Sequence, residues 1–365
     1  MTLSIGIVGL PNVGKSTLFN ALTKKSVEAA NYPFCTIDPS VGVVSVPDDR
    51  LYLLSDFSKT KRTVPAAIQF VDIAGLVAGA SSGEGLGNKF LSHIREVDAI
   101  AQVVRIFDDS NIVHVGGKID PLADIEVINL ELALADLQTV IKRIANLGRD
   151  VKKGDKEAII ESKILEQISA GLEKGILALQ VPLTDEERLS IKSLNLLTMK
   201  PMLYVLNKKG GGINLDEGKD ERYGKLMEYL KDINATWVVV DARIEEELKD
   251  FEGEEKEIFR VELGGKDDGI NDLIKESYAL LGLMSYFTTG IEETRSWTVK
   301  HGASAPEAGQ AIHTDFKDKF IRAEIIPWKE LLDAGSFAVA REKGLLRTEG
   351  KEYIVKDGDV VEFKI

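Results

Sequence analysis

The chain has 365 residues, 44% hydrophobic and 29% charged, enough for two or three domains with real cores. No apolar run approaches the length of a membrane helix, and Met1-Thr2-Leu3 lacks the basic start of a secretory leader, so a cytoplasmic protein outside the membrane is expected. A net charge of −13 excludes a general nucleic-acid binder but not a local basic patch, and the single cysteine, Cys35, suits a reducing compartment without a disulfide framework.

Residues 3–18 read LSIGIVGLPNVGKSTL. The apolar run 3–8 predicts a strand, and the pattern 17–22 predicts a helix. Between them Gly9, Gly14, Lys15 and Ser16 keep the spacing G-x-x-x-x-G-K-S, in the strand, loop and helix context that a phosphate-binding loop needs. The backbone of Gly9, Leu10, Pro11, Asn12, Val13 and Gly14 can curl around a β-phosphate. The first helical turn, through Thr17, adds unpaired N–H donors. Lys15 supplies a point charge to the β- and γ-phosphates, and the Ser16 hydroxyl can ligate Mg²⁺. This is a nucleotide-binding site.

The segment 31–36, NYPFCT, has neither helical nor strand periodicity. A loop threonine in such sites can reach the metal and sense the γ-phosphate, which makes Thr36 a candidate ligand; the alternative is a turn cap. Residues 68–77, IQFVDIAGLV, end an apolar strand at Asp72, with Gly75 three residues on. Asp72 can hold a Mg²⁺-bound water there, and the Gly75 N–H can contact the γ-phosphate. Leu76 stands where a water-orienting glutamine is common, and leucine cannot orient water, so another group must. A glycine-rich stretch covers 79–87, followed by a helix over 88–97 that packs through Phe90, Leu91 and Ile94 and leaves His93 to the surface or to packing. His114 follows a strand expected over 99–107 and is backed by Gly116 and Gly117. It is either a loop residue or a ring that swings over a phosphate.

From residue 125 the pattern changes. Leu130, Leu134, Leu137, Ile141 and Ile144 recur at heptad spacing, which predicts a coiled-coil seam along a helix over 125–147, ended by Gly148. Ile160, Ile164 and Ile168 predict a returning antiparallel helix. Thr184 with Glu187 forms a capping box opening a third helical segment to about residue 197. The expectation is a protruding arm over 125–199, whose tip offers Arg149, Lys152, Lys153 and Lys156 as a basic patch. The alternative is an ordinary helical hairpin in a globular core.

A strand over 201–206 leads into Asn207-Lys208-Lys209-Gly210. Guanine-binding versions of this fold carry N-K-x-D here, and Gly210 lacks the carboxylate that would take two hydrogen bonds from guanine. The strand over 236–240 runs into Asp241-Ala242-Arg243, where a base-contacting loop would lie. Base identity stays open, with a tilt away from GTP. Residues 245–262 read as an acidic, solvated helical face, and Ile270, Leu273, Ile274, Leu280 and Leu281 as the last helix on the sheet. Beyond residue 283, short strands are expected at 285–289 and 297–299, with helices from 308 and over 328–332. A closing hairpin of 353–355 with 360–363 is expected around the Asp357-Gly358 turn. Lys317, Lys319 and Arg322, interleaved with Phe316 and Phe320, form either an RNA-facing surface or an amphipathic fringe. His301 and His313 have no partners at metal-ligand spacing.

Over essentially its whole length the chain resembles the YchF-type, Obg-like ATPases. The matching stretches are GIVGLPNVGKSTLFNALT at 6–23, NYPFCTIDP at 31–39, FVDIAGLVAGASSGEGLGNKFL at 70–91, and TGIEETRSWTV and AGQAIHTDFKDKFIRAE between 289 and 324. The resemblance implies an α/β fold. A P-loop NTPase G domain (1–124 and 200–282) is interrupted by an inserted antiparallel coiled-coil arm (125–199) and followed by a C-terminal α+β TGS domain with a ubiquitin-like β-grasp (283–365). It implies Mg²⁺-dependent hydrolysis of ATP in preference to GTP, with a hydrophobic residue at the position of Leu76. The family's catalytic histidine lies in an N-I-[IV]-H-V segment, which is His114 here. Its base motif is N-x-x-E; Asn207 matches and Gly210 departs. The implied partner is the ribosome or a ribosomal subunit, bound by a monomer in regulating translation or stress responses, with RNA contact through the arm tip and the TGS domain. A GTPase switch of the same architecture is one competing reading, and a scaffold with purely structural nucleotide is another. The intact Lys15, Ser16 and Asp72 argue against the scaffold.

Overall fold

The computed structural model describes residues 3–23, 40–73, 86–109, 119–251, 253–265 and 269–365. In chain order its strands are β1 Ser4–Val8, β2 Val41–Ser45, β3 Thr63–Val64, β4 Ala67–Asp72, β5 Ala99–Arg105, β6 Phe107–Asp108, β7 Met202–Asn207, β8 Ile213–Asn214, β9 Thr236–Val240, β10 Leu283–Thr288, β11 Thr294–Lys300, β12 Arg322–Pro327, β13 Arg347–Glu349 and β14 Asp359–Lys364. Contacts gather the described residues into two compact units. One holds 3–23, 40–42 and the described part of 70–273; the other holds 43–69 and 274–365. Residues 43–69, read from sequence with the nucleotide domain, thus cluster with the C-terminal residues. The reason is local: β3 pairs in parallel with β11, Thr63 against Thr294.

The first unit holds β1, β5, β7 and β9 whole, with 41–42 of β2 and 70–72 of β4, in a sheet of the order β2-β4-β1-β5-β7-β9. β1, β5, β7 and β9 are parallel. β1, β5 and β7 are buried along their whole length, as continuous apolar strands covered on both faces must be. The Ile73 N–H donates to Ile7 O at 3.2 Å, which sets the end of β4 beside the end of β1. Val8, Asp72, Asn207 and Val240 therefore all lie at strand ends on one edge, where ligands of open α/β sheets bind.

The helix Pro121–Lys152 has 32 residues, about 48 Å at about 1.5 Å per residue. Asp120 caps it and Pro121 takes the first helical position, where no N–H is needed. It runs through Gly148, the expected stop, because a lone helical glycine costs only about 1 kcal/mol. It turns at Gly154 (φ +81°) instead, and Asp155 caps the returning helix Lys156–Leu172. The seam differs from the leucine ladder. Leu130, Leu134 and Ile141 are 58, 47 and 53% exposed, while Ala133, Val140 and Leu147 are buried with Leu137, Ile144 and Val151 packed beside them. Both sets have heptad spacing and share Leu137 and Ile144, so one apolar stripe admits two seams; the small Ala133 lets a neighbour approach. Arg143 grips Glu161 across the pair with two bonds of 2.6 and 2.8 Å. The third segment keeps its capping box but ends as helix Asp185–Ser190, followed by isolated 3₁₀ turns.

At the arm base, Asp136 is fully buried and accepts from Leu197 N (2.9 Å), Thr198 N (2.7 Å) and the Thr198 hydroxyl (2.7 Å). Asp136→Ala leaves two buried N–H groups unpaired at about 1–3 kcal/mol each. A melting temperature several degrees lower is expected by calorimetry, without loss of the nucleotide site. Nearby, the buried Lys200 ammonium donates to Arg95 O, Val97 O and Asn195 Oδ1, and burial lowers its pKa.

The second unit holds a sheet in the order β13-β12-β14-β10-β11-β3. Each face carries its own core. One contains Tyr286, Ile325 and Phe363 and the other Phe287, Ile326 and Val360. The expected closing hairpin is not formed. β14 is central, antiparallel to β12 and parallel to β10, and the 353–355 run makes only the single bridge Ser304↔Ile354. The cause is Asp359, buried and accepting from the Tyr353 hydroxyl and Lys356 N, which turns the chain before it can pair back. Phe320 is buried and Phe316 packs on the same core, so the aromatic and basic interleaving at 316–322 reads as an amphipathic fringe.

Candidate functional site

Between β1 and the helix Lys15–Thr23 the loop closes tightly. A Cβ on Gly9 would sit 2.7 Å from Val103 O. Gly14 adopts φ +101°, and a side chain there would strike the Asn207 amide. Asn12 takes φ +64°, a left-handed conformation that asparagine tolerates. Leu18, Phe19, Ala21 and Leu22 bury one face of the helix, so its N-terminus is fixed relative to the sheet. The Lys15 ammonium folds back over the loop and donates to Leu10 O at 2.7 Å. Burial lowers its pKa, and the Asp72 carboxylate opposes that shift. Ser16 follows at the next position, in the first turn of the helix.

Asp72 ends β4. Its Oδ1 is buried with no hydrogen-bond partner among the described residues, and burial pushes its pKa up against the pull of Lys15. A buried carboxylate oxygen without a donor is rare in a folded protein unless it serves a ligand or ion. Among the described residues no cluster of three metal-ligating side chains occurs. Asp72 and Ser16 are the described residues whose oxygens fit Mg²⁺, a hard cation that needs only one or two protein carboxylates beside phosphate.

Asn207, expected to read a base, braces the loop. Its Nδ2 donates to Val13 O at 2.8 Å and its Oδ1 accepts from Ala242 N at 3.1 Å, leaving one N–H free of these contacts. The Lys208 N–H donates to Val240 O at 2.9 Å. Asp241 caps the helix Ala242–Glu247, accepting from Ile244 N at 3.0 Å and, through its other oxygen, from Gly210 N. Burial raises its pKa against those donors. Gly210 has no room for a side chain: a Cβ there would run into Ile244 and lie 3.0 Å from Leu263 O and 3.1 Å from Asp241 Oδ2. An aspartate at 210 cannot restore the guanine-reading carboxylate without displacing these groups.

Three groups escaped sequence reasoning. Arg105, nearly fully buried at the end of β5, donates to Phe107 O (3.0 Å) and Asp109 O (3.1 Å) and lies over the Phe107 ring, fixing the backbone just before residue 110. Its only sequence signal is a charge ending an apolar run. Lys209 pairs with Asp109 at 2.5 Å. Glu245, read as part of a solvated acidic face, is buried beside Arg260 and Lys256 at 3.4 and 3.6 Å, because cations one helix away turn it inward. Thr36, Gly75, Leu76 and His114 lie outside the described residues.

Residues 4–153 match the MMR_HSR1 family, described as 50S ribosome-binding GTPase, and residues 283–365 match YchF-GTPase_C, described as a protein of unknown function. The chain is 54% identical to the ribosome-binding ATPase YchF of Bacillus subtilis, covering 100% of this chain and 99% of that protein. To the ribosome-binding ATPase YchF of Haemophilus influenzae it is 51% identical, with the same coverage. The solved structure of the Schizosaccharomyces pombe YchF GTPase superimposes with a TM-score of 0.88 at 39% identity, covering 100% of this chain and 98% of that one.

Proposed function

The chain belongs to the YchF family, and on that premise we propose that it is a cytoplasmic, Mg²⁺-dependent P-loop ATPase that works on the ribosome. The observation that carries the reading is Asp72 at the end of β4, which feels the charge of Lys15 at the start of the loop's helix and keeps a buried oxygen without a donor among the described residues. The loop backbone and Lys15 bind the β- and γ-phosphates, and Ser16, Thr36 and Asp72 are the residues that would hold the metal. When bound, Mg²⁺ would supply positive charge against the negative charge that develops on the transferred phosphoryl group. Asn207 keeps the loop in register with the 240–242 turn, where Lys208, Asp241 and Ala242 border the base position. The chain divides into a nucleotide domain (1–124 and 200–282), an inserted arm (125–199) and a TGS domain (283–365).

Water attack is assigned to His114 together with the Gly75 N–H, because Leu76 offers neither donor nor acceptor. An imidazole ring can accept from the attacking water or donate to the transferred phosphoryl oxygens. His114→Ala is expected to lower turnover at least about tenfold with little change in nucleotide affinity. Turnover near that of the unsubstituted protein, or affinity falling in parallel with rate, would make His114 a loop residue.

The relatives' names differ over the base: the bacterial proteins are called ATPases and the fission-yeast protein a GTPase. Gly210 lacks a carboxylate and each Asp241 oxygen already accepts from a backbone donor, so among the described residues neither position offers guanine an unengaged carboxylate. A site that makes such a bond discriminates by several kcal/mol. ATP is expected to bind at least as tightly as GTP. Side-by-side calorimetric titration and turnover of both nucleotides, with and without ribosomes, tests base choice and partner together; a strong GTP preference would reverse the first.

A further inference from the structure

The second unit carries a slot that the function above does not use. A cavity of about 720 Å³ opens beside β14, lined on its far side by the turn 288–291 after β10. β10 and β14 are parallel neighbours, yet they register only at Phe287↔Val360, while β14 runs on to Lys364. Beyond Val360 the partner registered along β14 among the described residues is β12, up to Arg322↔Lys364. Among the described residues, one edge of 361–364 is therefore left without a neighbouring strand.

The gap is built into the fold. The Thr289 hydroxyl pairs with that of Ser58 at 2.7 Å, the Thr60 hydroxyl donates to Gly290 O at 2.8 Å, and Lys61 N donates to Ile291 O at 2.9 Å. These bonds tie the turn to the 58–61 segment and hold it away from β14. The walls have the form of a missing strand. Ile326 and Val360, with the packed rings of Phe57 and Phe337, come from one sheet face; Phe316 and Phe363 come from the other. A cavity lined from both faces lies in the plane of the sheet, and what fills that plane is a strand. Its charge is equally specific. Glu324 and Glu362 stand directly opposite each other on β12 and β14 and both line the cavity. Like charges opposite one another are unfavourable. Arg341 reaches Glu324 at 2.9 Å and Lys364 reaches Glu362, but among the described lining residues Arg341 is the one cation against two carboxylates.

We propose that this slot binds an extended basic peptide segment, added as a strand to the open edge of β14, with apolar side chains toward Phe316 and Phe363 and basic ones toward Glu362 and Glu324. The open edge spans about 13 Å at about 3.3 Å per residue, room for about four paired residues. A chain of net charge −13 also draws a basic partner.

The test uses the full-length protein and fluorescence anisotropy of a labelled hexapeptide of alternating valine and lysine. Saturable binding is expected, with the valine–glutamate counterpart at least about tenfold weaker. A version with N-methylated valines, which lacks strand donors, should not saturate. Glu362→Lys, on an exposed side chain, should reverse the lysine-over-glutamate order. Gly290→Trp, where a Cβ would meet nothing within 4 Å, should fill the slot and lower affinity at least about tenfold without altering ATP turnover. No saturation with the lysine peptide overturns the proposal. So does equal binding of the N-methylated peptide, which marks an apolar pocket, or an unreversed preference in Glu362→Lys, which marks attraction elsewhere on the acidic chain. Glu362→Lys carries the test alone if Gly290→Trp fails to fold.

Discussion

Lys15→Ala is expected to lower ATP turnover at least about a hundredfold, while circular dichroism stays that of the unsubstituted protein. The Lys15 ammonium sits inside the loop crown on Leu10 O, 2.7 Å away, and burial disfavours its charge more than Asp72 favours it. A triphosphate is a better partner than one carbonyl, and the charge on its transferred group grows as the bond to the leaving oxygen breaks. The loss therefore falls on rate more than on fold. Triphosphate affinity should drop more than diphosphate affinity, since the γ-phosphate is the group that loses its counter-charge. Steady-state phosphate release and titration with both nucleotides measure this. Hydrolysis at the original rate in Lys15→Ala would remove the site assignment altogether.

Asp72→Asn should shift the Mg²⁺ dependence of turnover upward and reduce activity by about 10–100-fold at limiting metal, the range seen when a group that orients a metal-bound water is lost. Asparagine keeps the shape of the side chain and removes only the charge and one acceptor. Nucleotide binding in the presence of a chelator should be unchanged, and so should the melting profile of the nucleotide-free protein to within a few degrees. The informative measurement is the Mg²⁺ titration, because a defect in folding would lower activity at every metal concentration alike. If the titration curve of Asp72→Asn overlays that of the original protein, the buried Oδ1 serves something other than a metal-bound water.

The sequence by itself determined the elements whose residue chemistry is local. A strand, a glycine loop with Lys15 and Ser16, and a helix could be placed to within a residue or two, because backbone approach at Gly9 and Gly14 admits no side chain. Caps were equally legible: Thr184 with Glu187 closes its box as spacing alone required. The parallel strands β5, β7 and β9 followed from unbroken apolar runs. What the tertiary structure decided were choices between equivalent local patterns. Two heptad seams exist on the long helix, and only the approach of helix Lys156–Leu172 selects Ala133, Val140 and Leu147 over Leu130, Leu134 and Ile141. The run at 353–355 has a strand's composition, but the Asp359 carboxylate draws the chain into a turn and gives β14 to β12 and β10. Asn207 and Asp241 carry the residue types of a base site, yet their polar atoms go first to Val13, Ala242, Gly210 and Ile244. A buried amide or carboxylate must satisfy its hydrogen bonds with whatever backbone lies nearest, and which backbone lies nearest is a property of the folded chain alone.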